Sequence, residues 1–225
     1  MSGIREIAMT EMPEVSIGNV QNEEAKTGVT VLLFDKKTGA VVGVDISGGG
    51  PASRETPLTS PVTADNPINA IVLSGGSAYG LAASDGVMRC LEEHGIGFET
   101  GYAKVPLVCQ SCIYDLGYGS ATVRPDSEMG YAACEKALAG GNPSSGSVGA
   151  GTGATVGKIC GMERAMKSGL GMYAVQLGEL RMAAVVAVNA LGDIFDSSTG
   201  RKIAGLRTED GTAFSDSCEE LWKKG

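Results

Sequence analysis

The chain has 225 residues, enough to bury one sizeable core without a second domain. A formal net charge of −8 with no basic cluster excludes an electrostatic surface for nucleic acid or an anionic membrane. The 34 glycines are about twice the usual share, yet they show neither a collagen period nor a low-complexity block.

Residues 1–9 (MSGIREIAM) hold no apolar stretch of signal type, and no segment approaches the length of a membrane span. A cytoplasmic location is the expectation. Residues 27–35 (TGVTVLLFD) and 40–47 (AVVGVDIS) are β-rich runs joined by Lys36-Lys37-Thr38-Gly39, which predicts a hairpin. Gly48-Gly49-Gly50-Pro51 breaks that pattern, and a loop rich in Thr, Ser and Pro runs on to Pro67. Residues 68–73 form a short apolar strand. The turn Ser74-Gly75-Gly76-Ser77 leads into a helix over 78–94 with Leu81, Val87, Met88 and Leu91 near one face. Short strands follow at 97–100 and 105–108, then a helix over 126–138 entered through Arg124-Pro125-Asp126. Residues 140–146 (GGNPSSG) have the composition of an exposed linker, where chains are commonly nicked. Strands at 172–177 and 181–191, a turn at Gly192-Asp193 and a restart at Ile194-Phe195 complete the pattern. The alternation predicts mixed α/β layering around a sheet, in one domain spanning 1–225.

Six cysteines (Cys90, Cys109, Cys112, Cys134, Cys160 and Cys218) are scattered along the chain. Cys109-Gln-Ser-Cys112 has CxxC spacing but no second pair, so the thiols read as reduced and no metal or other cofactor is expected. The one histidine, His94, closes a helix in Cys-Leu-Glu-Glu-His-Gly, where its charge suits the helix dipole. A hydrolytic base is therefore expected to be something other than histidine.

Residues 144–158 (SSGSVGAGTGATVGK) are the most informative run. Gly149 to Ala154 satisfies the G-x-G-x-x-A spacing, but the preceding Pro-Ser-Ser-Gly-Ser is no buried strand, and Gly157-Lys158 lacks the earlier phosphate-loop glycine. Such a glycine-rich backbone approaches ligands closely and presents N–H groups to negative charge. Ser147 follows Gly146 directly. If that bond is cut, Ser147 gains an α-amino group able to act as its own base. The 74–80 turn also points N–H groups at an anion or oxyanion, which makes Gly75, Gly76 and Ser77 candidate substrate binders, with close packing as the competing explanation. Asn189 ends an apolar run and Asp115 follows Ile113 and Tyr114. Each needs a hydrogen-bond partner, from the fold or from a substrate.

Together these segments resemble the self-processing aminopeptidase family that includes L-aminopeptidase/D-Ala-esterase/amidase, β-peptidyl aminopeptidases and nylon-oligomer hydrolase. The likeness covers 18–31, 43–56, 70–90, 113–117, 124–126, 146–158 and 188–193, within a stretch from residue 11 to residue 215. It implies an α/β/β/α sandwich and autocatalytic cleavage between Gly146 and Ser147, giving fragments 1–146 and 147–225. Ser147 Oγ would attack the carbonyl at the N-terminal residue of a small peptide, amide or ester. Its α-amine would take the proton and return it to the leaving group, and the acyl-enzyme would be hydrolysed. The implied catalytic set is Ser147, Tyr79 and Asn189, with Gly75, Gly76, Ser77 and Asp115 binding substrate in a homo-oligomer. Members of the family continue with further strands and helices past the region equivalent to 214–222, so a sandwich incomplete at the C-terminus is expected. The alternative reading is an uncleaved, catalytically silent small-molecule-binding protein on the same scaffold.

Overall fold

A computed structural model describes residues 3–63 and 66–223. Its first strands are β1 (Arg5–Ile7), β2 (Val15–Asn22), β3 (Thr27–Phe34), β4 (Ser53–Arg54), β5 (Ala70–Ser74), β6 (Phe98–Glu99), β7 (Lys104–Val105) and β8 (Val108–Cys112). Then come β9 (Thr155–Val156), β10 (Met166–Lys167), β11 (Leu170–Leu177), β12 (Leu180–Ala187), β13 (Ile194–Phe195) and β14 (Lys202–Ala204). The helices are α1 (Ala83–Glu93), α2 (Ser127–Leu138) and α3 (Ser217–Trp222). The main sheet has five strands in the order β2-β3-β5-β8-β4, and a second sheet has three in the order β1-β11-β12.

Alternation along β3 sets the layers. Val29, Val31 and Leu33 face α1 and α2, where they join Val72, Val87, Leu91, Ala133 and Ala137 in a fully buried cluster. Leu32, Phe34, Ile71 and Leu73 face the other way, toward Ala183 and Val185 of β12, across a cavity of about 730 Å³. The outer face of β11 and β12 leaves Tyr173, Leu177, Leu180, Met182 and Val186 exposed. The described residues thus build a helix layer and two sheets of the expected sandwich. Among them, no helix is long and apolar enough to cross a membrane.

The expected hairpin of 27–35 with 40–47 does not form. Beyond an isolated bridge from Ala40 to Ile68, residues 41–47 belong to no strand. Both edges of β3 are already taken, by β2 on one side and β5 on the other, so the β-branched run lies outside with Val41 exposed. Strand β2 went unread because Gly18 and Asn19 interrupt its alternation. A Cβ on Gly18 would lie 2.0 Å from the Ala133 carbonyl oxygen, so the glycine admits α2 onto the sheet. The crossover β5–α1–β8 is parallel, with Ala70 opposite Val108. The predicted helices stand, the first opening as a 3-10 turn over Ser77–Ala82 and the second capped by Asp126, which accepts from Met129 N–H at 2.9 Å.

Asp193 fastens the last described segment. Its carboxylate pairs with Lys202 at 2.6 Å and accepts from Leu206 N–H and Ser217 Oγ, both at 2.8 Å. Burial alone would raise its pKa, but the bonds from Lys202, Leu206 and Ser217 outweigh it and hold the group below the ordinary carboxylate value. A depressed folded-state pKa stabilises above the unfolded value and loses that contribution as pH falls through the folded one. The melting temperature should therefore fall as pH drops below about 4, and Asp193→Asn should flatten that acid limb. An unchanged limb in the variant would remove Asp193 from the account.

Candidate active site

The turn after β5 is built for close packing. Gly75 N–H donates to Gly28 O at 3.0 Å, Gly76 N–H to Asp115 Oδ1 at 2.7 Å, and Ser77 N–H to Ile113 O at 3.0 Å. A Cβ on Gly75 would sit 1.9 Å from Asp115 Oδ2, and Gly76 needs the left-handed region at φ +83°. The three N–H groups expected to meet a substrate anion are therefore spent on the fold. Asp115 is only 5% exposed, and it accepts from Thr27 Oγ1 at 2.8 Å as well as from Gly76. It anchors the turn to β3. These bonds give Gly75, Gly76, Ser77 and Asp115 a role in holding the turn together, because a donor already paired inside a buried turn is taken up by the fold.

The glycine-rich run behaves in the same way. Gly149 N–H donates to Gln21 Oε1 at 3.2 Å, Ala150 N–H to Thr30 Oγ1 at 3.0 Å, and Ala154 N–H to Gly151 O at 3.2 Å. Two of its carbonyls are held by Lys167 Nζ, which reaches Gly151 O at 2.9 Å and Ala154 O at 3.3 Å. Cβ atoms on Gly151 and Gly153 would meet Leu170 N at 2.0 Å and Lys26 O at 2.3 Å. The glycines serve backbone-to-backbone packing rather than an anion nest.

Asn189 and Lys158 form the polar centre that remains. Asn189 Oδ1 accepts from Thr155 N–H at 3.1 Å and from Lys158 Nζ at 2.8 Å, while Nδ2 donates to Tyr114 O at 3.1 Å. Lys158 Nζ also donates to Asn189 O at 2.9 Å. Two of its three ammonium donors are thereby used, and one Asn189 amide hydrogen is left as well. Burial lowers the Lys158 pKa below the ordinary lysine value. The pair can offer N–H groups to a developing oxyanion, and a lysine so perturbed can also exchange a proton.

Among the described residues, neither Tyr79 nor Ser147 is hydrogen-bonded to that centre. The Tyr79 ring is 61% exposed and lies under the Arg124 guanidinium at 3.9 Å, and its hydroxyl bonds nothing among the described residues. Ser147 is exposed, and its hydroxyl has no hydrogen-bond partner among them either. Gly146, at φ +116°, is bound on both sides to Leu170, through N–H at 2.8 Å and through its carbonyl at 2.9 Å. Of the expected catalytic trio, only Asn189 has a built environment. Lys158 went unrecognised because its contacts come from the Asn189 segment, 31 residues away in sequence. The only sequence signal for it was an incomplete phosphate loop.

The profile of Peptidase family S58 matches residues 8–214. An uncharacterized aminopeptidase of Mycobacterium leprae is 43% identical over 180 residues, covering 77% of this chain and 47% of that protein. A 6-aminohexanoate-oligomer endohydrolase of a Kocuria species is 37% identical over 196 residues, covering 87% and 52%. The chain spans about half the length of the curated relatives it matches. Among solved structures, a Burkholderia β-aminopeptidase superposes with a TM-score of 0.54 at 21% identity, covering 82% of this chain and 52% of its own. The L-aminopeptidase D-Ala-esterase/amidase of Ochrobactrum anthropi, described as a variant of the Ntn hydrolase fold, gives 0.55 at 19%, covering 81% and 53%. With the profile match extending over nearly the whole sequence, the chain belongs to peptidase family S58.

Proposed function

We propose that this chain serves hydrolysis of small peptides, amides or esters, with the substrate carbonyl polarised at the Lys158–Asn189 pair. The observation that carries the reading is the half-buried ammonium of Lys158, fixed on two oxygens of Asn189 with a donor to spare. An acyl oxygen that gains negative charge is stabilised by a preorganised cation and amide far more than by water. The names of the relatives, aminopeptidases and an oligomer endohydrolase, point to amide bonds as the substrate class.

The self-processing form of this reading makes Ser147 the nucleophile after cleavage at Gly146–Ser147. Its accessibility supports this, and so does the open space where a Gly146 side chain would be. It also calls for movement, because among the described residues no hydrogen bond joins Ser147 to Lys158 or Asn189. Release of Gly146 from Leu170 on cleavage would supply that freedom. In this form the expected result is that denaturing mass spectrometry gives fragments 1–146 and 147–225, and that Ser147→Ala stays intact. A single chain in both samples removes Ser147 as the nucleophile while leaving the Lys158–Asn189 proposal to be tested by turnover. The silent anion-binding alternative is less favoured, since Gly75, Gly76, Ser77, Gly149 and Ala150 spend their N–H groups inside the fold. A homo-oligomeric assembly remains part of the proposal.

A further inference from the structure

We propose that Cys90, His94, Cys134 and Glu135 form a binding site for a thiophilic divalent ion of the zinc class, joining α1 to α2. The four residues come from two helices that pack on each other. Cys90 and His94 lie one turn apart at the end of α1, and Cys134 and Glu135 are adjacent on α2. Cys90 Sγ is 3.3 Å from Glu135 Oε1, and His94 Nε2 is 3.7 Å from the same oxygen. One ligand atom from each of Cys90, His94 and Glu135 lies within 4.8 Å of the others, and the buried Cys134 precedes Glu135 on α2. A tetrahedral zinc ion with bonds of 2.0–2.3 Å sets its donors roughly 3.3–3.8 Å apart. Three donors, one each from Cys90, His94 and Glu135, are therefore already close to the spacing such an ion demands, an SNO set that Cys134 would complete.

The histidine supplies a second, independent observation. Its Nδ1 lies 2.8 Å from the Cys90 carbonyl oxygen. A carbonyl only accepts, so Nδ1 carries the hydrogen and Nε2 turns its lone pair toward the Glu135 carboxylate. Two acceptors then face each other and need a cation between them. A proton or a metal ion meets that need, but only the metal also engages the Cys90 thiol beside it. The backbone bond on the far nitrogen fixes the ring orientation, as outer bonds do for metal-binding histidines.

Access and shielding are divided along the site. Both thiols are fully buried, while the side chains of His94 and Glu135 are 44% and 46% exposed, so an ion enters from solvent past the imidazole and carboxylate. Burial pushes both thiols up, so binding must displace their protons and should tighten as pH rises. The four residues share none of the partners of Lys158 and Asn189. The site would staple the helix layer, and its effect would appear in stability before turnover.

The test titrates the full-length chain, reduced and stripped of metal, with Co²⁺ under anaerobic conditions, followed by competition with Zn²⁺. The expected result is a thiolate-to-cobalt charge-transfer band with tetrahedral visible absorption, saturating at a single equivalent and bleached by Zn²⁺. Zn²⁺ should also raise the melting temperature. His94→Ala and Glu135→Gln alter half-exposed side chains, and each should weaken binding by at least about tenfold. Cys218→Ser, at an exposed thiol elsewhere, should leave it unchanged. No charge-transfer band, or a band of equal affinity in both His94→Ala and Glu135→Gln, would overturn the site. If Cys90→Ala or Cys134→Ala fails to fold, those two half-exposed positions still decide it.

Discussion

Lys158→Met is expected to lower turnover of an aminoacyl p-nitroanilide by about 10²–10³-fold, the usual effect of removing one preorganised oxyanion donor. Methionine keeps most of the apolar stem while deleting the charge and both bonds to Asn189. The loss should fall mainly on kcat, because a growing oxyanion gains more from the ammonium than the ground-state carbonyl does. The pH profile reports the role. If Lys158 acts as a cation, activity should fall as pH rises through a pKa that burial has brought below the ordinary lysine value of about 10.4. If it acts as a base, activity should rise through the same value. Full activity in Lys158→Met, with unchanged melting, would end the proposal that this pair polarises the substrate.

Gly86→Val should be among the most destabilising substitutions in the chain. A Cβ at Gly86 would lie 1.7 Å from the Ser127 carbonyl oxygen and 2.7 Å from Tyr131 N. On the facing helix, a Cβ at Gly130 would lie 2.0 Å from Ala83 O. The obstacles are backbone atoms inside helices, which cannot swing aside as a side chain end would. Relief requires α1 and α2 to separate, opening the cluster around Val87, Leu91 and Ala133. The cost should exceed the ~1–3 kcal/mol typical of overpacking and take a large part of the ~5–15 kcal/mol that holds a domain folded. Urea denaturation checks it. Gly86→Ala should already lower the midpoint clearly, whereas Gly43→Ala, with nothing within 4 Å of its added Cβ, should not. Coincident curves for Gly86→Ala and the unaltered protein would contradict the backbone contact.

The sequence determined those parts of the protein that depend on short-range patterns. The apolar run at 68–73, the helix over 126–138 behind Arg124-Pro125-Asp126, and the glycine-led turn at 74–77 each carry a local signal, and each appears at its expected place. The same segments in order carry the family likeness, and the profile match over 8–214 agrees with it. What the sequence could not assign was the partner of each polar group. Asp115 and the N–H group of Gly76 look free in one dimension, but in the fold they meet each other, and Thr27 reaches Asp115 from 88 residues away.

Tertiary structure alone decided the rest. It denied residues 40–47 a place in the sheet by giving both edges of β3 to other strands. It brought Lys158 to Asn189 and left Ser147 outside that contact. It also gathered Cys90, His94 and Glu135 from two helices into one cluster. The reason is physical: propensity and periodicity are set by neighbours along the chain, while a buried polar group takes whichever partner the packing delivers, because leaving it unpaired costs more than any local preference.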